Sequence, residues 1–359
     1  MQKEEFNEID DLLDDEDLSG SSENNPEQKY IHFQFIADKG QSFLRIDKFL
    51  IDRIEGVSRS KIQQAAEAGC ILVNGKPVKS NYKIKPLEEV SLVMDRPRIQ
   101  IEITPEDIPL NIVYEDSELL IVNKQPGLVV HPGHGNYTGT LINAIAFHLK
   151  DTPDFDANDP HVGLVHRIDK DTSGLLLIAK NPFAKTFLAK QFLSKTIKRE
   201  YVALVWGLVA ENEGRIEGNI GRDPKDRMLM RVFPLADQGK TAVTHYKVAE
   251  RLGYVTMINC ILETGRTHQI RVHMKYIGHT IYNDMRYGGD DILRGQNTSK
   301  YKQFVKNSFI ECPRHCLHAQ TLGFIHPITN EEMIFKSELP DDMIKVVNKW
   351  RSYVESNEI

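Results

Sequence analysis

Residues 161–174 read HVGLVHRIDKDTSG. An apolar run ending at Val165 delivers His166, Arg167, Ile168 and Asp169 and then, within a few residues, reaches Ser173 and Gly174. Val162, Leu164 and Val165 predict a short strand, and Thr172-Ser173-Gly174 is turn chemistry ahead of a second apolar run, Leu175 to Ala179. A charged cluster between two apolar runs is out of place in a core. It is in place if Asp169 sits at the floor of a cleft.

Working outward, the pattern from about 107 onward is mostly strands. They are expected at Ile112-Val113, Leu119 to Val122, Leu128 to Val130, Leu175 to Ile178, Tyr201 to Trp206, Thr241 to Val248 and Thr256 to Leu262. Helices are expected at 138–149, 183–194, 267–277 and 341–354. Regular strand–helix–strand units are few, so the fold class is α+β, with a mixed, largely antiparallel sheet around a central cleft.

Residues 43–95 carry a separate pattern. Ile46, Phe49, Leu50 and Ile54 mark one amphipathic helix, and Ser58 is placed to cap a second that Gly69 stops. Ile71-Leu72-Val73 then meets Asn74-Gly75, a type I′ hairpin signal, followed by Lys76-Pro77-Val78 and a late strand, Val90 to Val93. Pro97 and Pro105 bracket a linker at 96–106, and a larger domain is expected over 107–352.

The formal charge of −6 is unevenly spread. Residues 1–28 hold eleven acids against Lys3 and read as a disordered acidic tail at −10, leaving +4 for the rest. Arg59, Lys61, Lys76, Lys79, Lys83 and Lys85 face only Glu67 between 58 and 85, a local patch able to meet phosphates. The start lacks a signal peptide's basic and apolar regions, no apolar run is long enough to cross a bilayer, and four scattered cysteines make no disulfide framework. A cytoplasmic protein with no membrane partner is expected.

Three readings compete for Asp169. A kinase-type His-Arg-Asp loop fails because Ile168 intervenes and no glycine-rich phosphate loop or Asp-Phe-Gly accompanies it. An aspartic protease needs a second, facing carboxylate motif, and Asp171-Thr172-Ser173-Gly174 has no second copy. An aspartate that merely caps a turn is the plain alternative. Two other segments weigh against it. Lys198-Arg199-Glu200-Tyr201 enters a strand, and Leu262 to Met274 reads as a strand, a glycine turn and a helix capped by Thr267, with His268, Arg271 and Lys275 on one face.

These residues together carry a family resemblance. His166 to Leu175 is similar to the signature of the RluA-type pseudouridine synthases, which isomerise uridine in RNA. Val122-Asn123-Lys124 with Gly127 to Gly133, the Arg-Glu-Tyr strand, Gly265 to Met274, Lys240 to Tyr246, Leu317-His318-Ala319 and His326-Pro327 match in order. The 43–95 segment resembles an S4 RNA-binding module, and that arrangement is most similar to the large-ribosomal-subunit synthase D type. The resemblance implies that Asp169 is the catalytic aspartate, attacking C1′ or removing the 2′ proton of the target ribose. It implies that Tyr201 stacks on the flipped base and assists the C5 proton transfer, that Arg271 pairs with Asp169, and that Arg167 fills the gap left in the RNA stack. RNA contacts are expected from Arg59, Lys61, Lys76, Lys79, Lys83, Arg266 and His268. The implied substrate is ribosomal RNA or a pre-ribosomal large subunit, acted on by a cofactor-free monomer.

Two features invite other readings. Cys312-Pro313-Arg314-His315-Cys316 with His318 lacks characteristic zinc spacings, so no metal is expected. His131 and His134 lie in a glycine-rich loop, where a local hydrogen bond competes with closure over a substrate, and Gly221 to Arg231 reads as an exposed basic hairpin tip.

Overall fold

The computed structural model describes residues 29–54, 59–94, 103–133, 136–153, 155, 163–226, 228–234 and 238–357. The expected acidic tail, the Ser58 cap, His134, Val162 and most of the expected linker lie outside these residues. The described chain divides into two units, with the break between Glu102 and Ile103.

The first unit is a four-stranded sheet in the order β1-β4-β2-β3, from β1 (Tyr30–Ile36), β2 (Ile71–Val73), β3 (Lys76–Pro77) and β4 (Glu89–Met94), with helices α1 (Ile46–Ile51) and α2 (Arg59–Glu67). Asn74 and Gly75 take φ of 49° and 77°, the two positive values a type I′ turn needs. Ile46, Phe49 and Leu50 from α1 and Ile62 and Ala66 from α2 pack with Ile71, Val73 and Val90 of the sheet. β1 begins ahead of residue 43, where the sequence pattern starts. No residue of this edge strand is fully buried, so its hydrophobic alternation is weak.

The second unit holds a ten-stranded sheet among the described residues, in the order β10-β9-β11-β12-β8-β13-β7-β6-β5 with β14 on β13. Its strands are β5 (Ile112–Glu115), β6 (Leu119–Lys124), β7 (Ser173–Ala179), β8 (Lys198–Trp206), β9 (Glu213–Arg222), β10 (Met230–Phe233), β11 (Lys240–Leu252), β12 (Val255–Leu262), β13 (Leu317–Ile325) and β14 (Glu332–Lys336). Five helices accompany them: α3 (Leu141–Leu149), α4 (Pro182–Leu193), α5 (Gln269–Tyr276), α6 (Ser299–Glu311) and α7 (Asp341–Asn357). Pairing is antiparallel except between β13 and β7, where His318 meets Ser173 and Ala319 meets Gly174. Every residue of β7 is buried, as fits a central strand covered on both faces.

Several local expectations are corrected. Leu164 makes a single bridge to Ile178 rather than a strand, and the turn falls earlier than Thr172-Ser173-Gly174, with Thr172 N–H donating to Asp169 O (3.1 Å). Ser173 and Gly174 already belong to β7. Gly174 has φ of 117°, and a Cβ there would lie 2.2 Å from Ala319 O, so only glycine lets β13 approach. Leu128 to Val130 is no strand. Val129 O and Val130 O accept from the first N–H groups of α3, which uses the apolar run to seat the helix start. The helix α6, capped by Thr298, was not expected from the sequence, although Tyr301, Val305 and Ser308 bury one face of it.

In the first unit Asp47 is fully buried, and its carboxylate accepts from Arg45 (2.8 and 3.1 Å) and from Arg59 (3.1 and 3.2 Å). Burial pushes this carboxyl up, but hydrogen bonds from Arg45, Arg59 and Gln63 outweigh it and hold the group at about 2. The unfolded value is about 3.9, so the stabilisation is present at neutral pH and is lost as pH falls from about 4 through 2. The two arginines are 40% and 51% exposed, so screening reduces the gain to about 1–2 kcal/mol. Unfolding of the native protein and of Asp47→Asn across this pH range is expected to show a stability gap at pH 6 that closes by pH 2.

Candidate active site

Asp169 lies on the loop between the Leu164 bridge and β7, and that loop is held from two directions. From below, Lys124 at the end of β6 donates to Lys170 O (2.8 Å), Leu128 O (3.0 Å) and Gln125 O (3.0 Å). Burial pushes this ammonium down to about 7, against the charges of Asp169 and Asp171. Three carbonyls around one nitrogen are the partners an ammonium with three N–H groups requires. From the other side, Arg314 Nη1 donates to Asp171 O (2.9 Å), and His315 Nε2 and Thr172 Oγ1 share a hydrogen bond of 2.8 Å. Arg314 is itself held bidentately by Asp342 (2.7 and 3.0 Å).

The partner of Asp169 comes from α5. Arg271, 5% exposed, donates from Nη1 to Asp169 Oδ2 (2.7 Å), while Nε and Nη2 fork onto Asp284 Oδ2 and Oδ1 (2.8 and 2.9 Å). Burial opposes its charge, but the hydrogen bonds to Asp284 and the negative charge of Asp169 more than offset this and raise its pKa. Asp284 is fully buried and also accepts from the N–H groups of Arg286 and Tyr287 (both 3.2 Å). Asp169 keeps a side chain 20% exposed toward the cleft.

The start of α5 differs from its expected form. Thr267 does not cap it. His268 occupies the cap position with φ of 54°, and the helix start is pinned by Gln269, which accepts from Arg266 N (3.0 Å) and donates to Val243 O (2.9 Å) of β11. His268 is buried, hydrogen-bonds through Nδ1 to Tyr287 Oη (2.7 Å), and brings Nε2 to 4.0 Å from Asp169 Oδ2. As expected, His268, Arg271 and Lys275 fall on one side of the chain, where all three meet Tyr287.

A pocket beside Asp169 is lined by Arg167, Tyr201, Arg266, His268 and Arg271, with Phe192, Arg199 and Leu317. The residues singled out in this part of the sequence are thus brought together. Tyr201, 8% exposed, enters from the middle of β8, and burial is the largest influence raising its phenol pKa. A second, larger recess shares Arg167, Asp169, His268 and Arg271 with it and continues past Lys170, Met228, Met285 and Arg286. In the first unit, Arg59, Lys61, Lys76, Lys79 and Lys83 are all exposed, with Arg59 tied to Asp47. His131 Nδ1 hydrogen-bonds locally to Pro132 O (2.8 Å). Among the described residues no cluster of His, Cys, Asp or Glu is arranged to hold a metal; Cys312 and Cys316 lie 3.5 Å apart, Sγ to Sγ, in the core, as free thiols. No helix among them is long and apolar enough to cross a membrane.

Lys124, Asp284, Tyr287 and Arg314 were not anticipated as parts of the site. Lys124 ends an apolar strand, and Asp284 and Tyr287 sit in a stretch, Asn283 to Gly289, whose only signal is a turn-rich composition.

Residues 118–276 match the RNA pseudouridylate synthase family, and residues 44–90 match the S4 domain. The chain is 46% identical over 322 residues to an uncharacterized RNA pseudouridine synthase of Chlorobaculum parvum, covering 89% of this chain and 98% of the relative. It is 42% identical over 315 residues to the uncharacterized RNA pseudouridine synthase YlyB of Bacillus subtilis, covering 88% and 97%. Identity to the ribosomal large subunit pseudouridine synthase D of Vibrio parahaemolyticus is 40% over 315 residues, covering 87% and 92%. Human RNA Pseudouridylate Synthase Domain Containing 4 shares the fold, with a TM-score of 0.50 at 20% identity over 67% of this chain and 93% of that one.

Asp284→Asn keeps the side chain's shape but turns an NH2 group toward an N–H of Arg271 and removes a buried counter-charge. A loss of about 3 kcal/mol in the stability of the second unit is expected, measured by denaturant unfolding.

Proposed function

The chain belongs to the RNA pseudouridine synthase family and carries an S4 domain ahead of the synthase unit, and on that premise we propose that it isomerises specific uridines in large-subunit, 23S-type ribosomal RNA. As a pseudouridine synthase it is an isomerase. The target class is supported by the relatives named ribosomal large subunit pseudouridine synthase D, and the substrate is the RNA itself or a pre-ribosomal large subunit. Residues 43–95 dock RNA and residues 107–352 carry the chemistry, in a cytoplasmic monomer that needs no cofactor.

The observation that carries this reading is a mostly buried carboxylate, open to the cleft on one side, held by a buried guanidinium beside an aromatic wall. Because the target atoms of a paired base are out of reach, the nucleotide is first flipped out, and Arg167, at the pocket rim, fills the gap it leaves. Tyr201 stacks on the extruded uracil. Burial keeps its phenol protonated, which favours stacking over taking the C5 proton as a base. Asp169 then acts on the ribose, by attack on C1′ or removal of the 2′ proton, and Arg271 keeps its carboxylate ionised and fixed. The C1′–N1 bond breaks, the uracil turns, and C5 bonds to C1′ before losing its proton. Arg266 and His268 complete the wall around the bound nucleotide.

Large-subunit ribosomal RNA labelled with 5-tritiated uridine is expected to release tritium with the native protein. With Asp169→Asn, release is expected to fall to background while RNA binding is kept. Tight binding without release by the native protein would overturn the reading in favour of an assembly factor. Replacing Lys76, Lys79 and Lys83 together by Ala is expected to weaken RNA binding and reduce its salt slope by up to about three, with little effect on release at saturating RNA.

A further inference from the structure

Among the described residues three arginines are buried, and two of them meet carboxylates: Arg271 forks onto Asp284 and Arg314 onto Asp342. The third, Arg199, does not. It is 8% exposed, its Nε is buried without a hydrogen-bond partner, and among the described residues no carboxylate pairs with it. Its guanidinium carbon lies 5.3 Å from the centre of the Phe192 ring, and burial pulls its pKa below the usual arginine value, the reverse of Arg271. An uncompensated buried charge is costly, so such a group points to an anion that arrives from outside.

The surroundings indicate the kind of anion. Arg199 and Tyr201 stand two residues apart on β8, on one face of the strand and about 7 Å apart, and both line the pocket that opens at Asp169. Phe192, Leu262 and Leu317 complete apolar walls that suit a flat heterocycle better than a hydrated phosphate. In the isomerisation the C1′–N1 bond breaks and its electron pair stays with the base, so the detached uracil carries a negative charge spread over N1, O2 and O4. That charge persists until C5 bonds to C1′, after which C5 loses its proton and N1 gains one.

Resting on the pseudouridine synthase reading, we infer that Arg199 is a further catalytic residue, the counter-cation that holds the detached uracil through its carbonyl oxygens. It stabilises charge that exists only after bond breaking, and it keeps the ring in the pocket while it turns. A preorganised donor aimed at developing charge contributes about a hundred- to a thousandfold in rate.

The test uses the full chain with Arg199→Met, Arg199→Lys and tritium release from large-subunit RNA carrying 5-tritiated uridine. Arg199→Met is expected to lower kcat by about a hundred- to a thousandfold, with the Kd for the RNA within about twofold of native. Its melting temperature is expected to match or exceed that of the native protein, because an unpaired buried charge has been removed. Arg199→Lys is expected to fall between the two in rate. The inference is overturned if Arg199→Met turns over within twofold of native, or if rate and melting temperature fall together in both variants, as for a structural residue. It is also overturned if the loss lies in Kd with a salt slope smaller by about one, as for a phosphate contact. Absence of tritium release by the native protein would instead sink the isomerase reading, and this inference with it.

Discussion

A guanidinium taken out of water is costly unless anions compensate its charge, and the second unit is arranged around how Arg271 meets that demand. Its Nε and Nη2 are taken up by Asp284, so a single N–H, on Nη1, reaches Asp169. Asp284 is in turn fixed by backbone N–H groups of Arg286 and Tyr287, and the Tyr287 hydroxyl meets His268. One turn, from Asp284 to Tyr287, therefore sets both Arg271 of α5 and His268 at its cap, the two groups that face Asp169. The pair is directional: the carboxylate on the inner side is fully buried and bidentate, and the one on the outer side keeps access to the cleft.

The loop that presents Asp169 is built on the same logic with different donors. Its carbonyls at Lys170 and Asp171 point inward and are received by the ammonium of Lys124 and the guanidinium of Arg314. Inward carbonyls leave the side chain of Asp169 on the cleft side of the turn. Gly174 then lets β13 come close enough to carry Arg314 and His315 to the loop.

Much of this was legible in the sequence where function demands a particular residue type. Apolar patterning placed Asp169, Tyr201 and Arg271 beside strands or a helix start, and their roles came only from the resemblance of those segments to the synthase signature; the structure brings the three side chains to one pocket. The mixed, largely antiparallel sheet followed from the scarcity of regular strand–helix–strand units. Partners were not legible: Asp284 lies 13 residues from Arg271 in an irregular stretch, and Arg314 lies far beyond the loop it holds. Leu128 to Val130 read as a strand because an apolar run beside a helix start looks the same in sequence as one inside a sheet. Thr267 was the better cap by residue type, yet His268 took the position, where Tyr287 receives its ring.

The parallel pairing of β13 with β7 has a consequence in time. Thr172 and its partner His315 are separated by 143 residues, so at a synthesis rate of about 5–20 residues per second the Asp169 loop leaves the ribosome roughly seven to thirty seconds before the residues that hold it. Until β13 arrives, β7 exposes an edge with every side chain already apolar or small, and Arg314 is missing from beneath Asp171. The nascent chain thus gains a shaped pocket only once nearly all of the second unit has been made.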